Sequence, residues 1–220
     1  MIRKFSLFLL LLTVCQFSLA NKVFDDALVK AKLGDAQAQY NLGGMYVMGQ
    51  GVAVDYKQAF YWLSKAAEQG NATAQCLIGV MYHESLGVAQ DYEKAFYWLS
   101  KAAEQGNAIA QNNLGDMYEH GHGVKQDYKQ AFNWYTKSAE QGTAIAFASL
   151  GNMYANGEGV TQDYKKAYEQ HSIAILNGYA KGIEKRNEIA EKLSTQQLAE
   201  VKLEIAELQK NIEKNKISNK

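Results

Sequence analysis

A period of 36 residues is the feature that most constrains how this chain can fold. Glycine, aspartate and tyrosine each recur at that spacing, in the sets Gly70, Gly106, Gly142 and Gly178; Asp55, Asp91, Asp127 and Asp163; and Tyr46, Tyr82, Tyr118 and Tyr154. A fixed period between about 20 and 50 residues is typical of repeat arrays, in which each unit packs on its neighbours. The chain is therefore predicted to be a repeat protein rather than one or two ordinary domains.

The first half of each period predicts a helix of about twelve residues. In the first period its apolar residues are separated by steps of four, three and one, which places them on one helical face: Ala38, Leu42, Met45 and Tyr46. A glycine recurs inside this helix, beginning with Gly43. Because glycine in a helix costs about 1 kcal/mol relative to alanine, its return predicts a place where two helix backbones approach closely.

The second half of each period predicts a second helix after a glycine-rich turn. The turn reads Gly-x-Gly-Val in three periods and Ser-Leu-Gly-Val, from Ser85, in the other. Each recurring aspartate is suited to cap the second helix, because its side chain can accept hydrogen bonds from free backbone N–H groups. The predicted buried face in the first period is Ala59, Trp62, Leu63 and Ala66. Trp98 and Trp134 repeat the tryptophan, so we expect both to lie in the core.

The period also sets the expected boundaries along the chain. They are a signal peptide at 1–20, an N-terminal capping helix at 21–34, repeats at 35–70, 71–106, 107–142 and 143–178, C-terminal capping helices at 179–212 and a frayed tail at 213–220. The capping assignment follows from the atypical ends that repeat arrays require. Residues 198–212 carry a short heptad pattern, which favours a helix that caps the array but leaves dimerisation as an alternative.

The first twenty residues have the layout of a secretory signal peptide. Arg3 and Lys4 precede an apolar run at 5–14, and small residues stand at 18 and 20. Export with cleavage after Ala20 is the prediction. Two alternatives remain, an uncleaved anchor and a lipid-modified cysteine at Cys15.

The repeat pattern A-x-A-Q-x-x-L-G-x-M-Y-x-x-G-x-G-V-x-x-D-Y-x-x-A-F-x-W-x-x-K-A-A-E-Q-G resembles the Sel-1-like repeat, a helix–turn–helix family related to tetratricopeptide repeats. The resemblance is close over 24–178 and looser from 179 to about 212. It implies an all-α fold, namely a right-handed α/α superhelical solenoid with an N-terminal half-repeat and C-terminal capping helices. It also implies an adaptor or scaffold for protein complexes, and in exported bacterial members roles in envelope assembly, signalling or contact with host proteins. The expected location is the periplasm or outside the cell.

No motif predicts catalysis, a cofactor or a metal. The chain contains neither Ser-x-x-Lys nor His-Glu-x-x-His, and His120 and His122 share a turn without a third ligand nearby in sequence. The 23 basic and 23 acidic residues balance, which disfavours nucleic-acid binding. We therefore expect a non-enzymatic protein, monomeric unless residues 198–212 dimerise, and without stable membrane insertion after signal cleavage.

Comparison of the four periods predicts where a partner would bind. Positions that differ among the copies recur at steps of four, three and four along the first helix, so they share one face beside the core face. First helices of such a solenoid line its concave side, and the candidate residues for binding a protein or peptide are Thr73, Leu77, Val80, His83, Glu84, Ile109, Asn113, Asp116, Glu119, His120, Ile145, Ser149 and Asn152. The alternative is that these positions are merely exposed and unconstrained.

Two other functions remain as alternatives. A cysteine-rich branch of the family, some of whose members were associated with β-lactam binding, suggests a β-lactam-binding or hydrolytic protein. Only Cys76 would remain after processing, so the paired cysteines of that branch are absent. Tyr61 and Tyr97 weakly favour a cell-wall glycan binder.

Overall fold

The computed structural model of this chain describes residues 22–218, so the predicted signal peptide lies outside the described residues. Over that range the chain forms eleven helices and no strand. The helices are α1 (22–32), α2 (Ala36–Met48), α3 (Tyr56–Glu68), α4 (Ala72–Glu84), α5 (Tyr92–Glu104), α6 (Ala108–His120), α7 (Tyr128–Glu140), α8 (Ala144–Asn156), α9 (Tyr164–Leu176), α10 (Gly182–Ala190) and α11 (Thr195–Ser218).

The contacts divide the chain into two compact units. The described part of the first unit is 22–105, with α1 to α5, and that of the second is 106–218, with α6 to α11. Within each unit, the two helices of a repeat pack on each other and the second helix packs on the first helix of the next repeat. The predicted all-α class of helix–turn–helix repeats is confirmed.

The second helix of every repeat begins where the aspartates predicted. Asp55 Oδ1 accepts from the N–H groups of Lys57 at 2.9 Å and Gln58 at 3.0 Å. Asp127 caps α7 in the same way, whereas Asp91 and Asp163 each accept from one N–H group, that of Lys94 in α5 and that of Lys166 in α9. These bonds satisfy N–H groups that the helix itself leaves free.

The turn between the two helices of a repeat keeps its shape even where its first glycine is missing. Ser85 occupies the left-handed region with a φ of 59°, close to the 69° of Gly49 at the equivalent position. Its hydroxyl donates to the Val88 carbonyl at 3.2 Å. That bond offsets part of the cost of placing a non-glycine residue in this conformation.

The recurring helical glycine marks a close contact between the two helices of a repeat. The prediction was an approach of two backbones, but the atoms nearest to the glycine belong to a side chain of the second helix. A Cβ built on Gly43 would lie 2.5 Å from Leu63 Cγ and 3.3 Å from the Ala59 carbonyl oxygen. At Gly79 the distance to Leu99 Cγ is 2.6 Å. The glycine therefore lets the second helix insert a large side chain against the backbone of the first.

The three tryptophans are less uniformly buried than the sequence predicted. Trp62 is buried, whereas Trp98 and Trp134 are only half-buried. The fully buried position is the one that follows each tryptophan, as at Leu99 and Tyr135. Trp98 packs against the core cluster of α3 and α4. The exposed part of each ring lies beneath a lysine, with Lys101 Nζ 5.5 Å from the centroid of Trp98 and Lys137 Nζ 3.9 Å from that of Trp134.

A pair of glutamines links three successive helices in the first unit. Gln75, which is buried, donates from Nε2 to the Ala67 carbonyl at 3.1 Å and accepts from Gln105 Nε2 at 2.7 Å. Gln39 and Gln69 repeat the arrangement one period earlier. Every polar atom buried at this link thereby has a partner, which avoids the cost of unsatisfied polar groups.

The C-terminal helix packs on the fourth repeat and extends beyond residue 212. Ser194 and Gln197 form the capping box that their spacing suggests, with bonds of 3.0 and 3.2 Å. Val201 is fully buried and belongs to a cluster with Tyr168 of α9 and Ile189 of α10. Lys165 Nζ also meets Glu204 Oε1 at 2.8 Å. These contacts cover the end of the second unit with α11.

Candidate partner-binding surface

The candidate residues of the first unit lie on α4 and differ in exposure. Thr73 and Glu84 are exposed, while Leu77, Val80 and His83 are half-buried. Leu77 also packs against the core cluster of α3 and α4. It therefore has a structural role as well as a place on the candidate surface.

His83 connects the C-terminal end of α4 to neighbouring groups. Its Nδ1 lies 2.7 Å from Glu84 Oε1, and its ring meets the edge of Tyr92 with centroids 5.1 Å apart. The Gln90 side chain donates to the His83 carbonyl at 2.7 Å. These contacts hold the polar end of α4 and the following turn in one arrangement.

Among the candidate residues of the second unit, the two isoleucines are exposed apolar side chains. Ile109 is 62% and Ile145 45% exposed, at the equivalent position in the first turns of α6 and α8. Both follow the N-cap of their helix by two residues, so each isoleucine is the second residue of its helix. The two side chains present apolar surface to solvent at one repeated position, which suits contact with a partner.

An acidic and histidine-containing group occupies the other end of α6. His120 Nδ1 lies 3.2 Å from Asp116 Oδ1 and 3.0 Å from the Asp116 carbonyl oxygen. Partial burial lowers the pKa of His120, but these contacts with Asp116 and the nearby Glu119 outweigh it, so the pKa is raised above its usual value. The His122 ring stacks on that of His120 with centroids 5.6 Å apart.

Tyr135 is a buried contributor to this surface that the sequence reasoning missed. It occupies the place of Leu63 and Leu99 in the earlier repeats, against Gly115. Its hydroxyl donates to Glu119 Oε2 at 2.7 Å. Burial, and then Glu119, raise the pKa of Tyr135 well above its usual value, so the phenol stays protonated and fixes the Glu119 carboxylate. The sequence did contain a signal for this residue, namely a tyrosine at the position where the first two repeats carry leucine.

His171 is a second missed residue, at the same position one period later. It is only 2% exposed, and neither ring nitrogen has a hydrogen-bond partner within residues 22–218. The ring lies against Gly151 of α8 and lines a cavity of about 270 Å³ together with Asn152. Burial, and then the charge of Lys185, lower the pKa of His171 to about 4, so the imidazole is neutral at pH 7.

The thiol and the surface tyrosines offer little to the alternative functions. Cys76 is a buried free cysteine, and burial raises the pKa of its thiol to about 11, so it is not a reactive thiolate at neutral pH. Lys65 Nζ lies 5.0 Å from the ring centroid of Tyr61, and Lys101 Nζ lies 4.6 Å from that of Tyr97. A lysine thus covers one face of each ring on which a sugar would stack.

Within the described residues, every helix is too short or too polar to cross a bilayer.

The repeats, the capped helices and the glycine-mediated packing define a protein of the tandem helix–turn–helix class. The sequence profile of the Sel1 repeat matches residues 36–71, 72–107, 108–143 and 146–184. The chain therefore belongs to the Sel1 repeat family, as its sequence pattern predicted. Proteins of this family are typically scaffolds for protein interaction rather than catalysts. No match was found among curated protein sequences.

Solved structures agree with this assignment. The chain is 39% identical to c5321, a protective antigen of uropathogenic Escherichia coli strains that displays an SLR fold, with a TM-score of 0.78 over 83% of this chain and 39% of that one. A Sel1 repeat protein from Oxalobacter formigenes is 32% identical, with a TM-score of 0.73 over 78% of this chain and 68% of that one. The immunity protein Pa5087 from Pseudomonas aeruginosa, 22% identical over 74% of this chain and 60% of that one, shares the fold at a TM-score of 0.51. The chain spans well under half of the E. coli protein.

Proposed function

We propose that this chain is an exported, non-enzymatic scaffold that binds a protein or peptide partner through the face formed by its first helices, the concave side expected of such arrays. The observation that carries the proposal is the pair of exposed isoleucines, Ile109 and Ile145, at one repeated position. Family membership supports the scaffold role in general terms.

The second unit offers both apolar anchors and fixed polar groups to such a partner. Ile109 and Ile145 supply apolar area at the N-terminal ends of α6 and α8. At the opposite end of α6, Glu119 is held by Tyr135 and Asp116 by its contact with His120. Because these groups are ordered before binding, a partner would lose less free energy to their immobilisation than it would on a flexible surface.

The test combines partner capture with a matched substitution elsewhere. Wild-type protein is used as bait in envelope and host-cell extracts, and captured proteins are identified by mass spectrometry. Ile109→Lys combined with Ile145→Lys should abolish the capture of a partner that binds this face, because each change places a charge in an apolar contact. Leu203→Lys, at a 68% exposed position on α11, is the control and should retain it. Equal capture by both variants would show that another surface binds the partner.

Export is a separate part of the proposal and has its own test. The charged start, apolar run and small residues before Asn21 support a cleaved leader. Expression of the full chain in a bacterium should yield a mature protein that begins at Asn21, as measured by intact mass after cell fractionation. An uncleaved chain confined to the cytoplasm would contradict export.

A further inference from the structure

The first helices of the four repeats contain no lysine or arginine. This holds for α2, α4, α6 and α8 over their whole length. Each second helix, by contrast, carries two lysines, as α7 does with Lys129 and Lys137 and α9 with Lys165 and Lys166. The full chain has a formal net charge of zero, so this separation is a property of the arrangement and not of the composition.

In the second unit the exposed face of α6 and α8 is acidic at one end. Asp116 and Glu119 lie in the last turns of α6, and Glu158 lies in the turn after α8. In the part of the chain that the structure describes, no lysine or arginine forms an ion pair with any of the three, Lys125 of the turn after α6 included. The C-terminal end of a helix carries a partial negative charge, which adds to that of the carboxylates.

His120 shows that these carboxylates act on one place. Burial by itself lowers the pKa of His120, yet the pKa is raised above its usual value through Asp116 and through the charges of Glu119 and Glu158. The Asp116 side chain is 44% exposed, so a partner can reach it without desolvating it fully. A lysine or arginine side chain placed here would meet the same attraction, and it would carry its charge at neutral pH.

The same face is apolar at its other end and continuous between the two helices. Ile109 and Ile145 lie in the first turns of α6 and α8. Nearer the acidic end, the Tyr135 hydroxyl donates to Glu119 of α6 and also interacts with the Ser149 side chain of α8. The polar parts of α6 and α8 are therefore joined through one buried phenol.

The length of α6 sets the spacing that a bound segment would need. At 1.5 Å per residue, Asp116 lies about 10 Å and Glu119 about 15 Å along the helix from Ile109. An extended peptide advances about 3.3 Å per residue. Two of its side chains that reach the apolar and the acidic end would therefore stand about three to five positions apart.

We propose that this face recognises an extended peptide segment in which an apolar residue and a lysine or arginine stand about three to five positions apart. The apolar side chain packs on Ile109 and Ile145, and the cation pairs with the carboxylates of Asp116, Glu119 and Glu158. An acidic segment is rejected, because α6 and α8 offer it no lysine or arginine and several like charges. This inference rests on the proposed function and adds the chemical class of the partner.

Selection from a random library of displayed ten-residue peptides tests the chemistry on the full chain. The peptides of interest are retained by the wild type and lost with Ile109→Ser combined with Ile145→Ser, which removes apolar area without adding charge. These peptides should be enriched in lysine or arginine three to five positions from an apolar residue. Isoleucine-dependent peptides without that enrichment would overturn this inference and leave the proposed function standing. No isoleucine-dependent peptide at all would contradict both.

Charge-neutral variants then test the acidic end with one enriched peptide, labelled with a fluorophore and followed by anisotropy. Asp116→Asn combined with Glu119→Gln should weaken binding about fivefold or more, and the glutamine can still accept from the Tyr135 hydroxyl. Glu140→Gln combined with Glu184→Gln removes the same charge from exposed positions on α7 and α10 and should bind as the wild type does. Circular dichroism checks that both variants are folded. Equal affinity of the two double variants would show that the carboxylates of α6 do not select the peptide.

Discussion

Replacing His171 by leucine should make this protein more stable, although it removes the largest buried polar side chain of the second unit. The change eliminates two ring nitrogens without partners among the described residues and installs the side chain that Leu63 and Leu99 provide in the same niche. Relief of the unsatisfied groups is worth about 1–3 kcal/mol. This increase in the free energy of unfolding should be present at pH 8, where the imidazole is neutral in both the folded and the unfolded chain.

The gain should grow as the solution is acidified. His171 has a pKa of about 4 in the folded chain, against 6.5 for a free histidine, through burial and the nearby Lys185, with Glu188 opposing them. Between these values the unfolded chain binds the proton and the folded chain does not, so wild-type stability falls as the pH falls. A depression from 6.5 to about 4 corresponds to at most about 3 kcal/mol at pH 4, since one pKa unit is worth 1.36 kcal/mol.

Urea unfolding of wild-type and His171→Leu proteins at pH 8, 6 and 4.5, without added ligand, measures both effects. Because repeat arrays can unfold in stages, amide exchange in α9 reports the local free energy beside the global transition. The other titrating groups are shared, so they cancel in the difference between the two proteins. A difference that stays constant with pH, or a variant that is less stable at pH 8, would refute this account of His171.

Two further experiments test the packing between repeats. Gly159→Ala should destabilise the second unit by more than about 2 kcal/mol, because the residue has a φ of 69° and its new Cβ would collide with the Tyr128 carbonyl. Gly142→Ala, with a φ of 84° and open space around it, should cost only the conformational strain of about 1–2 kcal/mol; equal losses in thermal melts would argue against the collision. Gln75→Phe should cost about 1–3 kcal/mol, because it removes two hydrogen bonds worth about 0.5–1.5 kcal/mol each. Gln105→Ala should then cost less in that variant than in the wild type, because one of the bonds that it removes is already lost; a double-mutant cycle by urea unfolding measures the difference, and strict additivity would show that the two glutamines act independently.

The sequence predicted the parts of the fold that repeat. Asp55 and its equivalents could be recognised as caps because capping depends on local backbone geometry alone. Gly43 could be recognised as a contact point because its cost in a helix demands a reason. Residue type did not reveal how deeply each aromatic ring lies, so Trp98 was expected in the core and is half-buried.

The sequence did not predict the parts of the site that arise from single departures. Tyr135 and His171 stand where leucine does in the first two repeats, and the step of 36 from Leu63 would have located both. The contacts of these side chains could not be predicted from the sequence, because they depend on how the helices pack. The Tyr135 ring lies against Gly115 of α6, and this position lets its hydroxyl reach Glu119. Whether His171 finds a partner depends on α10, whose sequence follows no repeat.

The glutamine link bears on how this array can change in length. Gln75 joins the preceding and following helices through bonds that Gln39 also makes one period earlier, so an interior repeat presents the same polar junction on both sides. A duplication of one whole period within the first unit would therefore repeat this junction with the same bonds. The fourth repeat ends this series, with Phe147 and Asn177 in place of the two glutamines. We therefore expect whole periods to be inserted more readily within this series than at its C-terminal end, where the fourth repeat packs on α10 and α11.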